Sequence, residues 1–352
     1  MSRSYFHDLE DYIIQLAQEE MIGDFMQFIA LNLNKNNPLA HSKEFIDKQF
    51  YNKSRHNYNI LLAREKQSGE IIGIIAFVDS AFYDNASDKN NFVWLTNWLV
   101  KKPAYPTVGL SLLDSVFKYA QKINIGTVGN NEIAGAIYKA MRFTTGQLLQ
   151  FFMVNRQMDC FSLIQNYKES YKTLPGSSAC PYDLCIAKPS DLDAIHNDNI
   201  IIKTKAYFIN KYYKNPFYKY TLYVVRKEGR PQCLLVMRTD SYEGARALRI
   251  VDFWGSPDCL RHVHPAFQQL LVEQSAEYVD FYCHGIDPEI LMQAGFSQNT
   301  MDTNLVVPCY FEPFCPVNVK INFAYKLQGN QHFTVFKGDG DRDFPRIIKK
   351  GL

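Results

Sequence analysis

One stretch in the N-terminal half sets the order of the elements on both sides of it: Asn131-Glu132-Ile133-Ala134-Gly135-Ala136-Ile137-Tyr138-Lys139-Ala140-Met141-Arg142-Phe143. Its apolar residues recur at helical spacing, and Asn131 can cap the start of the helix. The β-branched residues beyond Phe143 cannot continue it. The pattern therefore predicts a short helix that feeds a strand.

This stretch resembles the last helix of the GNAT acetyltransferases, in which an Asn and a Tyr lie beside the thiol end of acetyl-CoA. The matching positions are Asn131, Ala134, Tyr138, Lys139 and Phe143, and Arg142 stands where the family has Gly. The resemblance implies that Asn131 positions the cofactor or a water and that Tyr138 protonates the departing thiolate. A phenol, with an unperturbed pKa of about 10, is protonated at neutral pH and suits that role. A tyrosine that only packs its ring is the structural alternative.

Length and composition favour two globular domains. The chain has 352 residues, 47% of them hydrophobic, and a formal net charge of +2, which gives no electrostatic reason to expect nucleic acid as a partner. No apolar run is long enough to cross a bilayer, and the N-terminus lacks a signal-peptide pattern, so we expect a cytoplasmic protein. All eight Cys follow residue 150 without a C-x-x-C pair, which predicts unpaired thiols in a reducing compartment. Cys259, His262 and His264 lack a distant second pair of ligands, so we expect no metal.

Residues 10–156 show the GNAT order β-α-α-β-β-β-α-β-α-β. Predicted strands occupy 12–17, 59–65, 70–78, 92–100, 123–128 and 146–155, and predicted helices occupy 19–33, 42–51, 131–143 and a segment that starts at 108. Lys66-Gln67-Ser68-Gly69 forms the turn of a hairpin.

By the same resemblance, the cofactor is acetyl-CoA or another acyl-CoA. The family's pyrophosphate turn, R/Q-x-x-G-x-G/A, aligns with Ala104-Tyr105-Pro106-Thr107-Val108-Gly109, which keeps only the second glycine. Backbone N–H groups at a helix start favour a phosphate there. The residues implied in holding the pyrophosphate are Thr107, Val108, Gly109, Leu110 and Ser111. The backbone of Leu99, Val100 and Lys101 would bind the pantetheine arm and polarise the thioester carbonyl.

The order then begins again. Residues 205–213 parallel residues 43–51, Trp254 takes the place of Trp98, and 286–296 repeat the opening helix with Leu291 in place of Tyr138. The turn at 257–266 lacks glycine, which indicates a degenerate copy that shapes the substrate cleft without binding CoA. Tandem GNAT folds of this kind are seen in Fem-type peptidoglycan ligases and in N-myristoyltransferase.

The predicted fold class is therefore α/β (α+β): two tandem GNAT-like domains, each a mixed, mostly antiparallel twisted sheet flanked by helices. We assign 1–156 to the first domain, 157–180 to a linker with a helix at 160–171, 181–316 to the second domain and 317–352 to a C-terminal tail. The tail should contain a hairpin formed by 320–327 and 332–336.

The acceptor side is less defined. Asp79, Asp84 and Asn97 follow or lie within the right strands, and Asn97 could orient a water. The tail residues Asp339 and Asp341 could bind sugar hydroxyls or a substrate ammonium. The segments 322–326 and 336–343 resemble GNAT-like proteins of bacterial surface-polysaccharide clusters, which implies an amino-sugar acceptor. The general base is left open.

Three hypotheses remain. The chain is an N-acyltransferase acting on a nucleotide-linked amino sugar in surface polysaccharide or O-antigen biosynthesis, a Fem-like aminoacyl transferase, or a non-catalytic GNAT-fold binding protein of the same pathway. The charge balance argues against the Fem-like reading, because an aminoacyl-tRNA would favour a basic groove. Exposed faces of the two Trp-containing strands could pair the two copies or form a homodimer, and the sequence does not choose between these arrangements.

Overall fold

The computed structural model describes residues 6–83, 92–103, 105–121, 124–168, 182–197, 199–301, 303–329 and 332–343. The chain divides into two compact units. The first unit contains 1–145, 324–329 and 340–352, and the second contains 146–323 and 330–339. Within the described ranges, no helix has both the length and the apolar character needed to span a membrane.

The elements before residue 155 follow the predicted order closely. The strands are β1 (Phe6–Asp8), β2 (Tyr12–Leu16), β3 (Tyr51–Asn52), β4 (Asn57–Tyr58), β5 (Ile60–Glu65), β6 (Ile71–Asp79), β7 (Phe92–Val100), β8 (Asn124–Val128), β9 (Thr144–Gln147) and β10 (Leu149–Val154). The helices are α1 (Ile22–Asn32), α2 (Lys43–Phe50), α3 (Val108–Ala120) and α4 (Glu132–Ala140).

The second half has a similar order, with one described α-helix before its long antiparallel strands where the first half has two. Its strands are β11 (Tyr182–Ile186), β12 (Tyr220–Lys227), β13 (Arg230–Tyr242), β14 (Ala245–Gly255), β15 (Tyr278–His284), β16 (Ser297–Asn299), β17 (Tyr310–Phe311), β18 (Phe314–Cys315), β19 (Asn322–Lys326) and β20 (Val335–Phe336). Its helices are α5 (Lys205–Phe208), which continues into a π-helical turn at Ile209–Tyr213, α6 (His264–Glu273) and α7 (Pro288–Gln293).

The first sheet has the strand order β1-β2-β5-β6-β7-β8-β19-β9. Strands β1, β2, β5, β6 and β7 pair antiparallel in sequence, and β7 runs parallel to β8. Helix α3 packs closely on this sheet because Gly73 leaves room for it: a Cβ at Gly73 would lie 2.8 Å from Cγ1 of Val108. Leu112, Leu113 and Val116 of the same helix are fully buried in the resulting core.

The second sheet has the order β11-β12-β13-β14-β15-β10-β16, with β14 parallel to β15 and its other neighbouring strands antiparallel. Both sheets therefore place one parallel pair after a run of antiparallel strands. The predicted fold class, mixed and mostly antiparallel sheets flanked by helices, is confirmed.

Two predicted strand pairings are wrong. Residues 146–155 were predicted to form the last strand of the first domain. The strand β10 within this range lies in the second sheet instead, where Phe151 pairs with Phe281. The predicted tail hairpin does not form, since β19 joins the first sheet between β8 and β9 whereas β20 pairs with β15. Apolar alternation predicts a strand but not its partner, so the turn residues at 328–331 were a misleading signal.

The predicted linker helix is also wrong over its described part, 160–168, which forms bends and one isolated bridge from Gln165 to Val306. The buried carboxylate of Glu277 accepts hydrogen bonds from the N–H groups of Ser162 (2.7 Å) and Leu163 (2.8 Å). Because these tertiary partners satisfy the backbone, they replace the intrahelical bonds that the local sequence favours. Residues 169–171 lie outside the described ranges.

The expectation that all thiols are unpaired is wrong for two of them. Cys233 and Cys259 form a disulfide between the start of β13 and the turn after β14. Gly255 makes the approach possible, because a Cβ there would lie 2.7 Å from the Cα of Cys233. Cys160, Cys185, Cys283, Cys309 and Cys315 are free thiols.

Candidate active site

Strands β7 and β8 pair over a short length and then separate. The parallel register joins Phe92 to Asn124, Val93 to Ile125 and Trp94 to Gly126. Strand β7 continues to Val100, and no further described strand pairs with it on the β8 side. We call the opening beyond Trp94 and Gly126 the first fork.

A bulge at Asn97 decides which side chains of β7 face α3. The register against β6 shifts between Ile74 and Ala76, and Asn97 has φ 43°, a left-handed conformation that Asn tolerates better than most residues. The extra residue shifts by one position the set of β7 side chains that face α3. Val93 and Leu95 before the bulge therefore share one core with Trp98 and Val100 after it.

The backbone of Val100 faces the fork. The N–H of Lys101 donates to the carbonyl of Ile72 (2.9 Å), so in an antiparallel pair the N–H and C=O of the preceding residue point the other way. Val100 is thus the one of the three predicted residues whose peptide groups could pair with a pantetheine arm. The prediction is wrong for Lys101, whose N–H is used within the sheet and whose ammonium pairs with Glu70 (2.7 Å). The peptide groups of Leu99, which lies opposite Ile74, also point towards β6, as those of Lys101 do.

Tyr138 is buried beside the fork. Its ring lies 5.7 Å from that of Trp98 and 5.1 Å from that of Phe143, and its side chain is 2% exposed. Burial raises the pKa of Tyr138 above its ordinary value, so the phenol stays protonated. Among the described residues, the structure records no hydrogen bond to its hydroxyl, which leaves the proton available to a bound group.

Asn131 has a structural role in the described contacts. Its Oδ1 accepts a hydrogen bond from the N–H of Ala134 (2.9 Å), which caps α4 as the sequence predicted. The amide NH2 is the part of the side chain that remains for the predicted role beside a cofactor. Arg142, where the family has Gly, takes the left-handed conformation (φ 63°) in the turn that follows the helix.

The start of α3 offers fewer backbone donors than predicted. The N–H of Val108 donates to Tyr105 O (3.1 Å) and that of Ser111 to Thr107 O (2.9 Å), whereas no acceptor within the described residues is recorded for the N–H groups of Gly109 and Leu110. Of the five predicted pyrophosphate residues, these two present free donors at a helix N-terminus, where an anion is favoured.

The remaining members of that set serve the fold. The Val108 side chain is fully buried in the core. Thr107 Oγ1 and Ser111 Oγ both contact the hydroxyl of Tyr12, at 3.0 and 2.9 Å. Sequence reasoning missed Tyr12, because nothing in its local pattern points to a helix 95 residues away.

Trp98 joins the two parts of the site. Its indole Nε1 donates to the carbonyl of Gly109 (3.2 Å), and the same ring packs against Tyr138. The helix start that could hold a phosphate and the phenol that could protonate a thiolate therefore contact one side chain. The sequence showed Trp98 only as the counterpart of Trp254.

The predicted residues Asn97 and Asp341 meet, although 244 positions separate them. Asn97 Nδ2 donates to Asp341 Oδ2 (3.0 Å) and also contacts Thr96 Oγ1 (3.1 Å). Asp79 is the half-buried last residue of β6. Asp84 lies outside the described residues.

The prediction that Asp339 binds substrate is wrong. Its side chain is fully buried in the second unit, where Lys203 Nζ lies 2.9 Å from Asp339 Oδ1 and 2.5 Å from Asp252 Oδ1. Asp339 Oδ2 also accepts from the N–H of Phe336 (2.9 Å). The prediction needs an accessible carboxylate, but the pairing of β20 with β15 brings this part of the tail into the second sheet.

Strands β14 and β15 also separate, beyond Ile250 and Phe281, and we call that opening the second fork. Residues 335–339 fill it. Val335 and Phe336 pair with His284 and Cys283 of β15, and the N–H of Gly338 then donates to Val251 O of β14 (2.6 Å).

Gly338 is required for this close fit. A Cβ there would lie 2.5 Å from the hydroxyl of Tyr212 and 2.6 Å from the carbonyl oxygen of Val251. Lys211 Nζ donates to the carbonyl of Gly338 (2.5 Å). The edge that would face a ligand in the second copy is thus occupied by the protein's own backbone.

No protein-family model matches the chain, and no curated protein matches it. Solved structures do. A conserved protein of unknown function from Enterococcus faecalis V583, named as a candidate N-acyltransferase, superposes with a TM-score of 0.54 at 8% identity, covering 90% of this chain and 73% of that one.

Two further structures agree. A GCN5-related N-acetyltransferase from Anabaena variabilis has a TM-score of 0.53 at 9% identity, covering 90% of this chain and 72% of that one. A Pyrococcus horikoshii protein named as a candidate acetyltransferase has a TM-score of 0.51 at 11% identity, covering 92% of each chain. At these identities the comparisons show the fold: the chain has the GNAT-type fold over most of its length.

Proposed function

We propose that the first unit transfers an acyl group, acetyl in the first instance, from an acyl-CoA to an amine. The observation that carries the proposal is the Trp98 contact with both the helix start at Gly109 and the ring of Tyr138, beside an edge of β7 left open by β8. N–H groups that can bind a phosphate, an open strand edge and a protonated phenol are the groups that suit such a transfer.

The residues present suit an acyl-CoA. The N–H groups of Gly109 and Leu110 would bind the pyrophosphate, and the peptide groups of Val100 would hold the pantetheine arm. When bound, the thioester supplies an activated acyl group. Tyr138 would hold a proton for the departing sulfur, because burial keeps its phenol neutral.

We propose one acyl-CoA site per chain. The second fork is filled by residues 335–339, and Leu291 occupies the position equivalent to Tyr138. That copy would support the fold without taking part in the chemistry.

We further propose that the acceptor is an amino sugar, in nucleotide-linked form, used in bacterial surface polysaccharide biosynthesis in the cytoplasm. The support is the sequence resemblance of segments 322–326 and 336–343, together with the Asp341 carboxylate that Asn97 holds beside the first fork. A carboxylate suits a substrate that carries both hydroxyls and an ammonium.

Calorimetric titration with acetyl-CoA tests the cofactor site. We compare the wild type with Gly109→Asn and Gly109→Asp, which have nearly the same size and differ in charge. A Cβ at Gly109 would lie 3.5 Å from Trp98 and Val100 atoms, an ordinary contact, so both variants should fold. A carboxylate near the pyrophosphate should weaken binding at least tenfold relative to the amide.

We expect micromolar binding by the wild type with a stoichiometry near one. Equal affinities of the Asn and Asp variants for acetyl-CoA would show that the pyrophosphate does not bind beside Gly109. A wild type that does not bind at millimolar acetyl-CoA would contradict the acyltransferase proposal and favour a binding protein of the same fold. A stoichiometry near two would contradict the inactive second fork.

A further inference from the structure

We infer that the Asp341 carboxylate is the base that receives the proton of the acceptor ammonium in the first unit, and that Asn97 positions it. The inference rests on the proposed function. It assigns the one role in acyl transfer for which the sequence suggested no residue.

Asp341 is held at the bulge of β7. Asn97 donates to Asp341 Oδ2 from Nδ2 (3.0 Å), and the same amide contacts Thr96 Oγ1 (3.1 Å), which limits its rotation. Asn97 directly precedes Trp98 and lies three residues before Val100, whose peptide groups face the first fork. The carboxylate is therefore fixed next to the part of β7 where we expect the thioester.

Asp341 reaches β7 from the side opposite α3. Val93 and Leu95 face the core formed with α3, so Trp94, between them, points to the other face of the sheet. The tail passes on that face, since a Cβ at Gly340 would lie 3.5 Å from the Cβ of Trp94. An acyl donor anchored at the start of α3 and an amine beside Asp341 would thus approach β7 from opposite faces, so neither would block the other.

A second residue, Tyr83, lies near the carboxylate. Burial and, next, the negative charge of Asp341 raise the pKa of Tyr83, which follows β6. Asp341 therefore lies near the end of β6 as well as the bulge of β7. Tyr83 is thus one titratable group near Asp341, and the charged residues Arg342 and Asp343 follow it directly in the chain.

The step balances as follows. The ammonium gives one proton to Asp341, and the neutral amine attacks the thioester carbon, forming the C–N bond. The C–S bond then breaks with its electron pair going to sulfur, which takes the proton of the Tyr138 hydroxyl. The nitrogen loses its second proton to water, and water reprotonates Tyr138, so one proton is released in total.

The test compares Asp341→Asn with the wild type. Thiol release from acetyl-CoA is measured with glucosamine and with UDP-glucosamine as acceptors. Loss of a general base should lower kcat/KM about 10² to 10⁴-fold, and Asp341→Glu should restore part of it. Asp114→Asn, an exposed carboxylate of α3 paired with Lys118 (2.6 Å), is the matched control and should act as wild type.

Two readouts separate a base from a merely structural residue. The deficit of Asp341→Asn should shrink above the pKa of the amine, because the amine is then already neutral and needs no base. In calorimetry without any acyl donor, glucosamine should bind Asp341→Asn several-fold more weakly, while acetyl-CoA affinity stays unchanged.

Asn97→Gly tests the positioning role. Glycine adopts the φ of 43° without strain and removes only the amide, so the fold should be kept. We expect kcat to fall about tenfold with little change in acetyl-CoA affinity. Asn97→Ala, which adds backbone strain, should instead lower the melting temperature.

The outcomes are distinct. If Asp341→Asn turns over at the wild-type rate, or its deficit does not depend on pH, the inference is overturned while the proposed function stands. If the wild type binds acetyl-CoA but releases no thiol with either amine, the assignment of a base for amino-sugar transfer is overturned. If the wild type does not bind acetyl-CoA at all, the proposed function itself fails.

Discussion

The second fork is filled by five residues of the protein's own tail, whereas the first fork exposes an edge of β7 on which no described strand pairs. Both forks arise in the same way, from a parallel strand pair that separates after three or four residues. The surrounding topology therefore does not decide whether a fork can bind a ligand. We propose that what decides is whether backbone groups at the edge are already satisfied.

The same comparison is consistent with our proposal that the second copy does not bind an acyl-CoA. With residues 335–339 bonded to both strands, a glycine-containing turn at 257–266 has no phosphate to accommodate, and Leu291 can replace a tyrosine without leaving a thiolate unprotonated. The sequence predicted a degenerate copy from the missing glycine. The structure adds an observation in favour of that prediction, since residues 335–339 bond to both strands of the second fork.

The largest expected effect is on stability, at Lys203, whose ion pairs hold the tail in the second fork. Lys203→Met should lower the free energy of unfolding by about 3 to 5 kcal/mol, because it leaves the buried carboxylates of Asp252 and Asp339 without their shared cation. Urea denaturation followed by tyrosine and tryptophan fluorescence measures it. Lys205→Met is the control, since its exposed ion pair with Asp193 should contribute less than about 1 kcal/mol.

A loss below about 1 kcal/mol for Lys203→Met would show that the charges are not what retains the tail. In that case Gly338→Ala becomes decisive, because the added Cβ meets the backbone of Val251 and cannot be accommodated by a side-chain rotation alone. If both variants are as stable as the wild type, the filled fork is not a structural requirement of the second unit.

Local features of the fold were predictable, and partner choices were not. The helix cap at Asn131 is confirmed by a hydrogen bond of 2.9 Å from the N–H group of Ala134, because capping depends on residues three apart. Strands β10 and β19 were found, but each joins the sheet that its position in the chain did not suggest. A strand's own sequence sets its faces and leaves its neighbours to the rest of the chain.

The site shows the same limit. Tyr138 could be named because its helix carries a local pattern, whereas the Asn97 contact with Asp341 spans 244 positions and leaves no spacing to detect. Asp339 and Asp341 are two residues apart in one acidic pattern, and yet one is fully buried beside Lys203 while the other is half-exposed beside Asn97. Composition does not distinguish such neighbours, since their burial is decided by the pairing of β20.

A smaller effect, on kcat and not on stability, is expected for a change at Tyr138 beside the first fork. Tyr138→Phe should lower kcat about a hundredfold, because it removes the proton donor to sulfur. Acetyl-CoA affinity and melting temperature should not change, since no described hydrogen bond is lost. Steady-state thiol release and calorimetry measure these quantities. Tyr223→Phe, a half-buried tyrosine of the second unit, should leave both unchanged.

Full activity in Tyr138→Phe would mean that water protonates the thiolate and that the resemblance around α4 reflects packing. A parallel fall in kcat and in acetyl-CoA affinity would instead indicate that the hydroxyl binds the donor. Either result would weaken the contrast between Tyr138 in the open copy and Leu291 in the filled one.

The smallest expected effect concerns the turn after that helix, where the two copies differ by one residue. Arg142 has φ 63°, and its counterpart Gly295 has φ 86°. The left-handed conformation costs a residue with a Cβ about 1 kcal/mol, and part of that cost is offset because glycine has more freedom in the unfolded chain. Arg142→Gly should therefore raise the free energy of unfolding of the first unit by about 0.5 kcal/mol.

Gly295→Ala gives the opposite sign, because its Cβ would lie 2.4 Å from Cδ2 of the buried His264. The two variants together show whether the left-handed backbone at Arg142 is merely tolerated or serves the activity. If Arg142→Gly is more stable and equally active, the departure from the family pattern has no function. If it is more stable but releases thiol more slowly, the arginine side chain contributes to the open fork, and strain in that turn is retained for activity.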